Sequence, residues 1–271
     1  MPAVDRWYFS EILRGAAERI NASGHVARMH RIPPADTATA TATAAIQADF
    51  TDSESIGAIA AGFSYRPSRS TTTTTWTRPL VLIGGSALGF PTVMIDDVGA
   101  ARIATEHLRG FGHTRIAHFT ASDEAQSSHL ILRRRVKGYR TAMESGGLEP
   151  VVVEHGLDPT SAYRAAHRVL QTPNRPTAVF AVSDDVAIAV LAAARDLDLR
   201  PGHDVSVIGI NDQPEALEEG LTTIRQQPAD MGATAVDMLV AGLLPGVDRQ
   251  QSRLHPSTLI RRSSTGPVHR A

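Results

Sequence analysis

Long apolar runs, each followed by a helix-favouring segment, make up most of the chain after residue 78. The run 178–182 ends in a Ser-Asp-Asp triplet, an Ala-rich segment follows, and a second run, 205–210, ends in Asn-Asp. Strands that are apolar throughout are typical of parallel sheets covered on both faces. Ligands of open parallel sheets bind beyond the carboxyl ends of the strands. Because polar groups follow these strands directly, the pattern predicts a ligand pocket.

The same periodicity predicts the other elements of the chain. Helices are expected at residues 9–21, 99–108, 130–144, 161–171, 186–197 and 229–239, with a poor helix at 35–48. Strands are expected at 25–30, 56–61, 79–83, 92–95, 115–120, 150–154, 178–182, 205–210 and 221–225, and within 252–262. Residues 62–77 are expected to form a solvated loop. Since strands and helices alternate and 271 residues fit two sheets better than one, we predict an α/β fold with two lobes, each a mainly parallel sheet covered by helices.

Composition excludes several classes of protein. The chain has 42% apolar and 20% charged residues and a net charge of −1, so overall charge gives no reason to expect nucleic-acid binding. It has no cysteine, which excludes disulfides, thiol catalysis and thiolate metal sites and fits a reducing compartment. No apolar run approaches the ~18–20 residues of a membrane span, and the N-terminus lacks the apolar core of a secretory signal. We therefore expect a cytoplasmic protein without a membrane partner.

Motifs for catalysis, cofactors and metals are incomplete in this sequence. Residues 110–115 have Arg in place of the third glycine of a dinucleotide loop, and they precede a predicted strand instead of following one. Residues 84–88 lack the second glycine of a nucleophile elbow, and no H-E-x-x-H zinc motif occurs. The sequence therefore predicts no enzyme, no cofactor and no metal site. His113 and His118 are interpreted as structural or exposed.

Two polar positions have both a structural and a ligand-binding interpretation. Arg135 belongs to the basic run 133–137, which resembles a solvated helix face. It also lies one helical turn from Tyr139, and on a face that lines a crevice it could hold a polar ligand with two N–H groups. Asp184, with Asp185 beside it, either caps the following helix or accepts hydrogen bonds from ligand hydroxyls.

The pair Asn211 and Asp212 follows the next predicted strand. Capping explains this pair less well, because Pro214 follows it closely. We therefore interpret Asn211 and Asp212 as ligand-binding residues.

Four phrases taken together resemble one family of bacterial proteins. They are IDDVGAARIATEHLRGFGHTRIAHFT, RRRVKGYRTAM, PTAVFAVSDDVAIAVLAAARDLDLRPGHDVSVIGIND and LTTIRQQPADMGATAVDML. They look like the effector-binding core of the lactose/galactose repressor (LacI/GalR) family of transcription regulators. The likeness covers roughly residues 5–262 and is strongest after residue 93.

The resemblance implies a periplasmic-binding-protein-like fold, in which two lobes joined by three crossovers close on a small effector, usually a sugar or nucleobase. It places the N-terminal lobe at residues 1–95 and 227–243, the C-terminal lobe at 96–226 and 244–263, and a tail at 264–271. The crossovers are expected near 95–97, 225–228 and 242–250. It further implies a homodimer and a separate helix-turn-helix headpiece that binds operator DNA with an affinity that the effector changes.

The resemblance also carries ligand-binding residues over by position. Arg135, in R-x-x-G-Y, matches the family's ligand-clamping arginine. Ser183 and Asp184 match the polar pair that follows a strand, although the first is commonly Asn. Asn211 matches the position after V-x-G-[FY], where an Asp often occurs, and Asp212 adjoins it.

Three further residues match the family's site, and one position departs from it. Gln226 matches the hinge residue near the pocket, while Tyr8 and Phe9 match the aromatic pair at the start of the first helix. Residues 84–85 are both Gly where many members have an Asp, so one possible acceptor for a sugar hydroxyl is absent. The expected effector is therefore a sugar or related metabolite whose identity does not carry over.

The beginning of the chain departs from the family as well. Residues 1–3 align with the end of the family's first strand, so this strand and the headpiece are expected to be missing. As written, the chain is expected to sense an effector but not to read DNA. The alternative is a solute-binding protein of a sugar transport system, which shares the fold but would need a signal peptide or lipid anchor.

Overall fold

The computed structural model describes residues 7–29, 55–62, 78–85, 90–122, 130–156, 158–243 and 252–269. The chain divides into two compact units. Unit 1 comprises Met1–Met94 and Gln227–His255, and unit 2 comprises Ile95–Gln226 and Pro256–Ala271. The predictions for residues 1–3, 35–48 and 63–77, and for most of the crossover at 242–250, lie outside the described residues.

The predicted alternation of strands and helices is confirmed. In chain order the described elements are α1 (Trp7–Ala22), β1 (Ala58–Ala61), β2 (Leu80–Ile83), β3 (Thr92–Ile95), α2 (Asp97–Gly110), β4 (Ile116–Ala121), α3 (Leu130–Ser145), β5 (Val151–His155), α4 (Pro159–Leu170), β6 (Ala178–Ala181), α5 (Asp184–Asp196), β7 (Ser206–Asn211), α6 (Pro214–Glu218), β8 (Thr222–Arg225), α7 (Pro228–Ala241), β9 (Arg253–His255) and β10 (Thr258–Ile260). Within the described ranges, no helix combines the length and the apolar character needed to cross a membrane.

Unit 1 contains a sheet with the strand order β1-β2-β3-β9. β2 pairs in parallel with both β1 and β3. Helix α1 packs against α7 with a glycine on each side of the contact. A Cβ on Gly232 would overlap the carbonyl oxygen of Ile12, and one on Gly15 would overlap that of Ala229. The two helix backbones therefore approach more closely than side chains at these positions would allow.

Unit 2 contains a sheet with the strand order β10-β8-β7-β6-β4-β5. The strands β5, β4, β6, β7 and β8 are parallel, and β10 pairs antiparallel with β8. β5, the next strand in the chain after β4, lies on one side of β4. The strands that follow, beginning with β6, lie on its other side, so the direction of the strand order reverses between β4 and β6. The predicted α/β fold with a mainly parallel sheet is confirmed.

Helices cover both faces of the sheet in unit 2. On one face, Phe119 of β4 and Val179 of β6 are buried in a cluster with α4 and α5, including Val190. On the other face, the hydroxyl of Tyr139 in α3 donates a hydrogen bond to the carbonyl of Ile116 at 2.7 Å. Burial on both faces explains why β6 is apolar throughout and why β4 is mostly apolar.

Three predictions about elements are corrected. The described part of the predicted strand 25–30 is not a strand, and Val26 and Met29 are largely exposed, because no described strand lies beside them. The predicted strand within 252–262 is two strands, β9 in the sheet of unit 1 and β10 in that of unit 2. The chain therefore passes from unit 1 to unit 2 after His255. The segment after residue 212 contains α6, which was not predicted as a helix.

Candidate functional site

The carboxyl ends of the parallel strands in unit 2 form one edge of the sheet, and six predicted ligand-binding residues lie along it. In open α/β sheets, ligands bind outside the carboxyl ends of the strands where the strand order reverses, which here is between β4 and β6. Hydrogen bonds along the ends of β6, β7 and β8 link these six residues to one another or to the residues beside them in the sequence. The six are Arg135, Ser183, Asp184, Asn211, Asp212 and Gln226.

Asp184 is the hydrogen-bonding centre of this edge, and its side chain is fully buried. Its Oδ2 accepts hydrogen bonds from the backbone N–H groups of Asp212 and Gln213 at 2.7 and 3.2 Å. Its Oδ1 accepts one from the hydroxyl of Thr223 at 2.6 Å. Burial raises the pKa of the Asp184 carboxyl to about 7, although these hydrogen bonds act in the opposite direction. Asp184 thus ties the ends of β7 and β8 to the start of α5.

Capping of α5 by the Asp184–Asp185 pair does not occur. The helix begins at Asp184, and Ser183 occupies its N-cap without a side-chain cap bond. Ser183 is partly exposed, and within the described residues its hydroxyl has no recorded partner. This hydroxyl can therefore donate to a ligand or accept from one.

The backbone after β7 takes a conformation that few residue types tolerate. Asn211 has φ 147° and Asp212 has φ 60°. Positive φ is uncommon outside glycine, and Asn and Asp are enriched among the exceptions. The bond from the Asp212 N–H to Asp184 holds this turn. The backbone conformation therefore favours Asn and Asp at these two positions, and so do the hydrogen bonds that their side chains form.

Asn211 and Gln226 form a buried amide pair. The Nε2 of Gln226 donates to the Oδ1 of Asn211 at 2.6 Å. In the part of the chain that is described, the side-chain nitrogen of Asn211 has no recorded partner, so it remains a donor for a ligand.

Asp212 is engaged by two arginines that were not predicted to be part of the site. Its Oδ2 accepts from Nε of Arg225 and its Oδ1 from Nη2 of Arg262, both at 2.6 Å. Arg262 also donates to the carbonyl of Leu221. Asp212, which follows β7, is thus connected to β8 through Arg225 and to the segment after β10 through Arg262. Direct ligand binding by Asp212 stays a prediction, and its hydrogen bonds indicate a structural role first.

Arg135 points into the protein, and the solvated interpretation of this residue is wrong. It is only 5% exposed. Its Nε donates to Oδ1 of Asp97 at 2.9 Å, and its Nη1 donates to the carbonyl of Val182 at 2.6 Å. Burial raises the pKa of the Asp97 carboxyl, and the guanidinium of Arg135 opposes that shift. The guanidinium of Arg135 therefore lies at the carboxyl end of β6, where it binds Val182, the residue that precedes Ser183.

The two aromatic residues of the prediction belong to unit 1. Tyr8 and Phe9 lie in the first turn of α1, are partly buried, and contact each other edge to face with ring centroids 5.3 Å apart. Their assignment to the ligand site stays a prediction.

The histidines predicted to be structural or exposed are structural. His113 is buried, with Nδ1 3.0 Å from the hydroxyl of Thr177 and Nε2 3.0 Å from both the hydroxyl of Ser206 and the carbonyl of Gly266. His118 is fully buried, and its Nδ1 donates to the carbonyl of Phe180 at 2.9 Å. Across the described ranges, no group of three or more His, Asp or Glu side chains could hold a metal ion.

Sequence reasoning missed four residues of this edge. Asp97 directly follows Asp96, which caps α2 by accepting from the N–H of Gly99. Thr223, Arg225 and Arg262 carry no local signal, because their partners lie between 13 and 50 residues away in the sequence. Only the doublet at 96–97 offered a hint, since one cap needs one carboxylate.

A doubly covered parallel sheet with polar side chains along the carboxyl ends of its strands defines an α/β ligand-binding domain. A family model described as a periplasmic binding protein-like domain matches residues 105–265, which is more than half of the chain. The chain belongs to this family, as the effector-binding core of LacI/GalR type.

Curated and solved relatives agree with this assignment. The HTH-type transcriptional repressor PurR of Escherichia coli O139:H28 is 37% identical over 199 residues, which are 70% of this chain and 57% of PurR. The chain thus spans little more than half the length of that relative. A LacI transcriptional regulator from a Rhodococcus species has a TM-score of 0.79 at 26% identity, over 98% of this chain and 96% of its own. A LacI family regulator from Enterococcus faecium with bound ribose is similar in fold, with a TM-score of 0.81 at 19% identity over 99% and 98%.

Proposed function

We propose that this chain is the effector-sensing and dimerising module of a LacI/GalR-type transcription regulator. In this proposal a small polar effector binds at the carboxyl edge of the sheet in unit 2. The observation that carries the proposal is the gathering of Arg135, Ser183, Asn211 and Gln226 at the ends of three neighbouring strands. Family membership supports it, because PurR is named a transcriptional repressor and the Enterococcus regulator holds ribose.

The groups left for a ligand favour a molecule that carries hydroxyl or amide groups. Ser183 offers a hydroxyl, Asn211 a side-chain N–H₂, and Arg135 its remaining nitrogen, Nη2. A sugar hydroxyl both donates and accepts, and a nucleobase edge presents both kinds of group, so either matches this set. The effector is proposed to be a sugar or a related metabolite.

The regulatory output requires DNA binding. Operator DNA is proposed to be contacted by a helix-turn-helix headpiece of the kind that PurR's name specifies, and the effector is proposed to change that affinity in a homodimer. The proposal includes no catalysis, no cofactor and no metal. Tyr8 and Phe9 stay predicted ligand-binding residues.

Ligand binding is tested first, by calorimetry of the chain with D-ribose, D-galactose and hypoxanthine. We expect saturable binding of at least one of them, and a loss of about 1–3 kcal/mol in Arg135→Ala, because buried partners are left unpaired. Lys137→Ala is the matched control, since it removes an exposed cation from the same helix. Turnover of a bound sugar that Arg135→Ala abolishes would instead indicate an enzyme.

Regulation is tested in a chimera that joins the chain to the headpiece of PurR. We expect the bound compound to change operator affinity in a gel-shift assay, and Arg135→Ala to remove that response. A ligand that binds tightly without any change in operator affinity would contradict the proposal and favour the alternative, a solute-binding protein for transport.

A further inference from the structure

The guanidinium of Arg135 is already engaged on two of its three nitrogens. Nε donates to Asp97 at 2.9 Å and Nη1 to the carbonyl of Val182 at 2.6 Å. Asp97 is 2% exposed and Arg135 is 5% exposed, so water screens this ion pair very little. Within the described residues, only Nη2 of this arginine has no recorded partner. Any ligand that reaches Arg135 therefore meets a cation whose charge is already balanced.

The other charged groups around this edge are of both signs. Asp97 also interacts with the positive charge of Arg134 and with the negative charge of Asp96. At the end of β7, Asp212 lies between two arginines, while Asp184 accepts hydrogen bonds only from N–H and hydroxyl groups. Each arginine named at this edge thus has a carboxylate nearby.

We propose that Asp97 determines the charge preference of the site: by neutralising Arg135, it makes the site accept uncharged hydrogen-bonding ligands and reject carboxylates and phosphates. This inference rests on the proposed function, because it concerns the same site. An unpaired buried guanidinium binds anions strongly and often with two hydrogen bonds. With Asp97 in place, an incoming anion meets a like charge in a weakly polarisable environment, where repulsion is large.

Asp97 acts through Arg135 and is therefore a positioning residue, so its test needs a result that a purely structural role would not give. Asp97→Asn keeps the size of the side chain and one oxygen that can accept from Nε of Arg135, but it removes the negative charge. The probe is inorganic phosphate alone, titrated by calorimetry at fixed ionic strength. We expect no saturable binding to the wild-type chain. The variant should bind phosphate saturably, with an affinity about tenfold or more above the weakest that the titration detects.

Two controls separate this gain from general effects of charge. The double variant Asp97→Asn/Arg135→Gln should lose the phosphate binding, because the guanidinium is gone. Glu106→Gln removes a carboxylate from the exposed Arg102–Glu106 pair of the same helix and should leave phosphate binding as weak as in the wild type. Phosphate binding that also appears in Glu106→Gln would overturn the role of Asp97, because the loss of any carboxylate from α2 would then permit phosphate to bind.

The wild-type measurement keeps the inference falsifiable even where Asp97→Asn does not fold. Saturable phosphate binding to the unaltered chain, weakened by Arg135→Gln, would overturn it. So would a folded Asp97→Asn variant with no gain in phosphate affinity. Failure of the sugars and hypoxanthine to bind, together with the expected phosphate results, would refute the proposed function and leave the effect of Asp97 on Arg135 established.

Discussion

Gln226 donates a hydrogen bond of 2.6 Å from its side-chain nitrogen to the side-chain oxygen of Asn211, and both residues are buried. Asn211 ends β7, and Gln226 is the last residue of unit 2 before the chain passes into unit 1. In this arrangement the Asn211 oxygen is the acceptor, and its side-chain nitrogen is left for another partner.

Replacement of Asn211 by alanine should weaken binding of whichever of D-ribose, D-galactose and hypoxanthine binds the wild type. We expect a loss of about 1–3 kcal/mol, because the variant removes a ligand donor and leaves the buried amide of Gln226 without its acceptor. Calorimetry measures the change. Asn21→Ala, at the exposed end of α1, should bind normally. Unchanged affinity in Asn211→Ala would remove this residue from the site.

The raised pKa of Asp184 predicts a specific dependence of stability on pH. The folded-state pKa is about 7, whereas an exposed aspartate has a pKa of about 3.9. The folded protein therefore holds this proton more tightly than the unfolded chain does. Its contribution to stability is complete below about pH 4 and is lost as the pH rises through 7. Relative to Asp184→Asn, the wild type should lose roughly 4 kcal/mol of unfolding free energy between about pH 4 and pH 8.

Denaturant unfolding, followed by circular dichroism across this pH range, measures the difference. The comparison of two curves is needed because burial lowers the pKa of His107 to about 4 and that of His118 to about 3. These histidines destabilise the folded state at low pH in both proteins, so their effect cancels. Asp185→Asn should follow the wild-type curve. Parallel curves for wild type and Asp184→Asn would show that Asp184 does not titrate in this range.

The two arginines on Asp212 should differ in their contribution to stability. Both donate to Asp212 at 2.6 Å, but the side chain of Arg225 is 52% exposed and that of Arg262 is 14% exposed. An exposed ion pair contributes about 0–1 kcal/mol. Arg225→Ala should therefore cost under about 1 kcal/mol, and Arg262→Ala about 2–3 kcal/mol, because it also leaves the carbonyl of Leu221 without its donor.

Thermal and denaturant unfolding of the two single variants check this order. Each variant serves as the control for the other, since both remove one arginine from the same carboxylate. Equal losses of stability would mean that exposure does not decide the strength of these bonds.

The close contact of α1 with α7 predicts an intolerance of side chains at Gly232. A methyl group there would overlap the carbonyl oxygen of Ile12, so Gly232→Ala should destabilise the chain by about 1–3 kcal/mol or more, despite the better helix propensity of alanine. Gly110→Ala is the control, because nothing lies within 4 Å of the added Cβ at the end of α2. It should be neutral or slightly stabilising. A neutral Gly232→Ala variant would mean that the two helices can move apart at little cost.

Much of unit 2 could be predicted because its strands are buried on both faces. The runs ending at Thr120, Val182 and Ile210 are mostly apolar for that reason, and they differ from the observed strands by at most one residue at that end. The strand predicted at 25–30 failed because β-favouring residues such as Val26 form a strand only beside a partner.

The internal chemistry of the candidate site could not be predicted from local patterns. Asp184 was expected to cap α5 or to bind a ligand, yet its oxygens are taken by Asp212, Gln213 and Thr223. These partners become neighbours only when β6, β7 and β8 pair, which no window of adjacent residues reveals. Arg135 was assigned to the site by family likeness, while its ion pair with Asp97 required the packing of α2 against α3.

The hydrogen bond between His113 and Gly266 links distant parts of unit 2, and the contact of α1 with α7 does the same in unit 1. On the ribosome, Gly266 emerges long after the strands that it helps to close, and α7 emerges long after α1. Neither unit can therefore complete these contacts until the later of the two segments has been translated, although domains are generally able to fold as they appear.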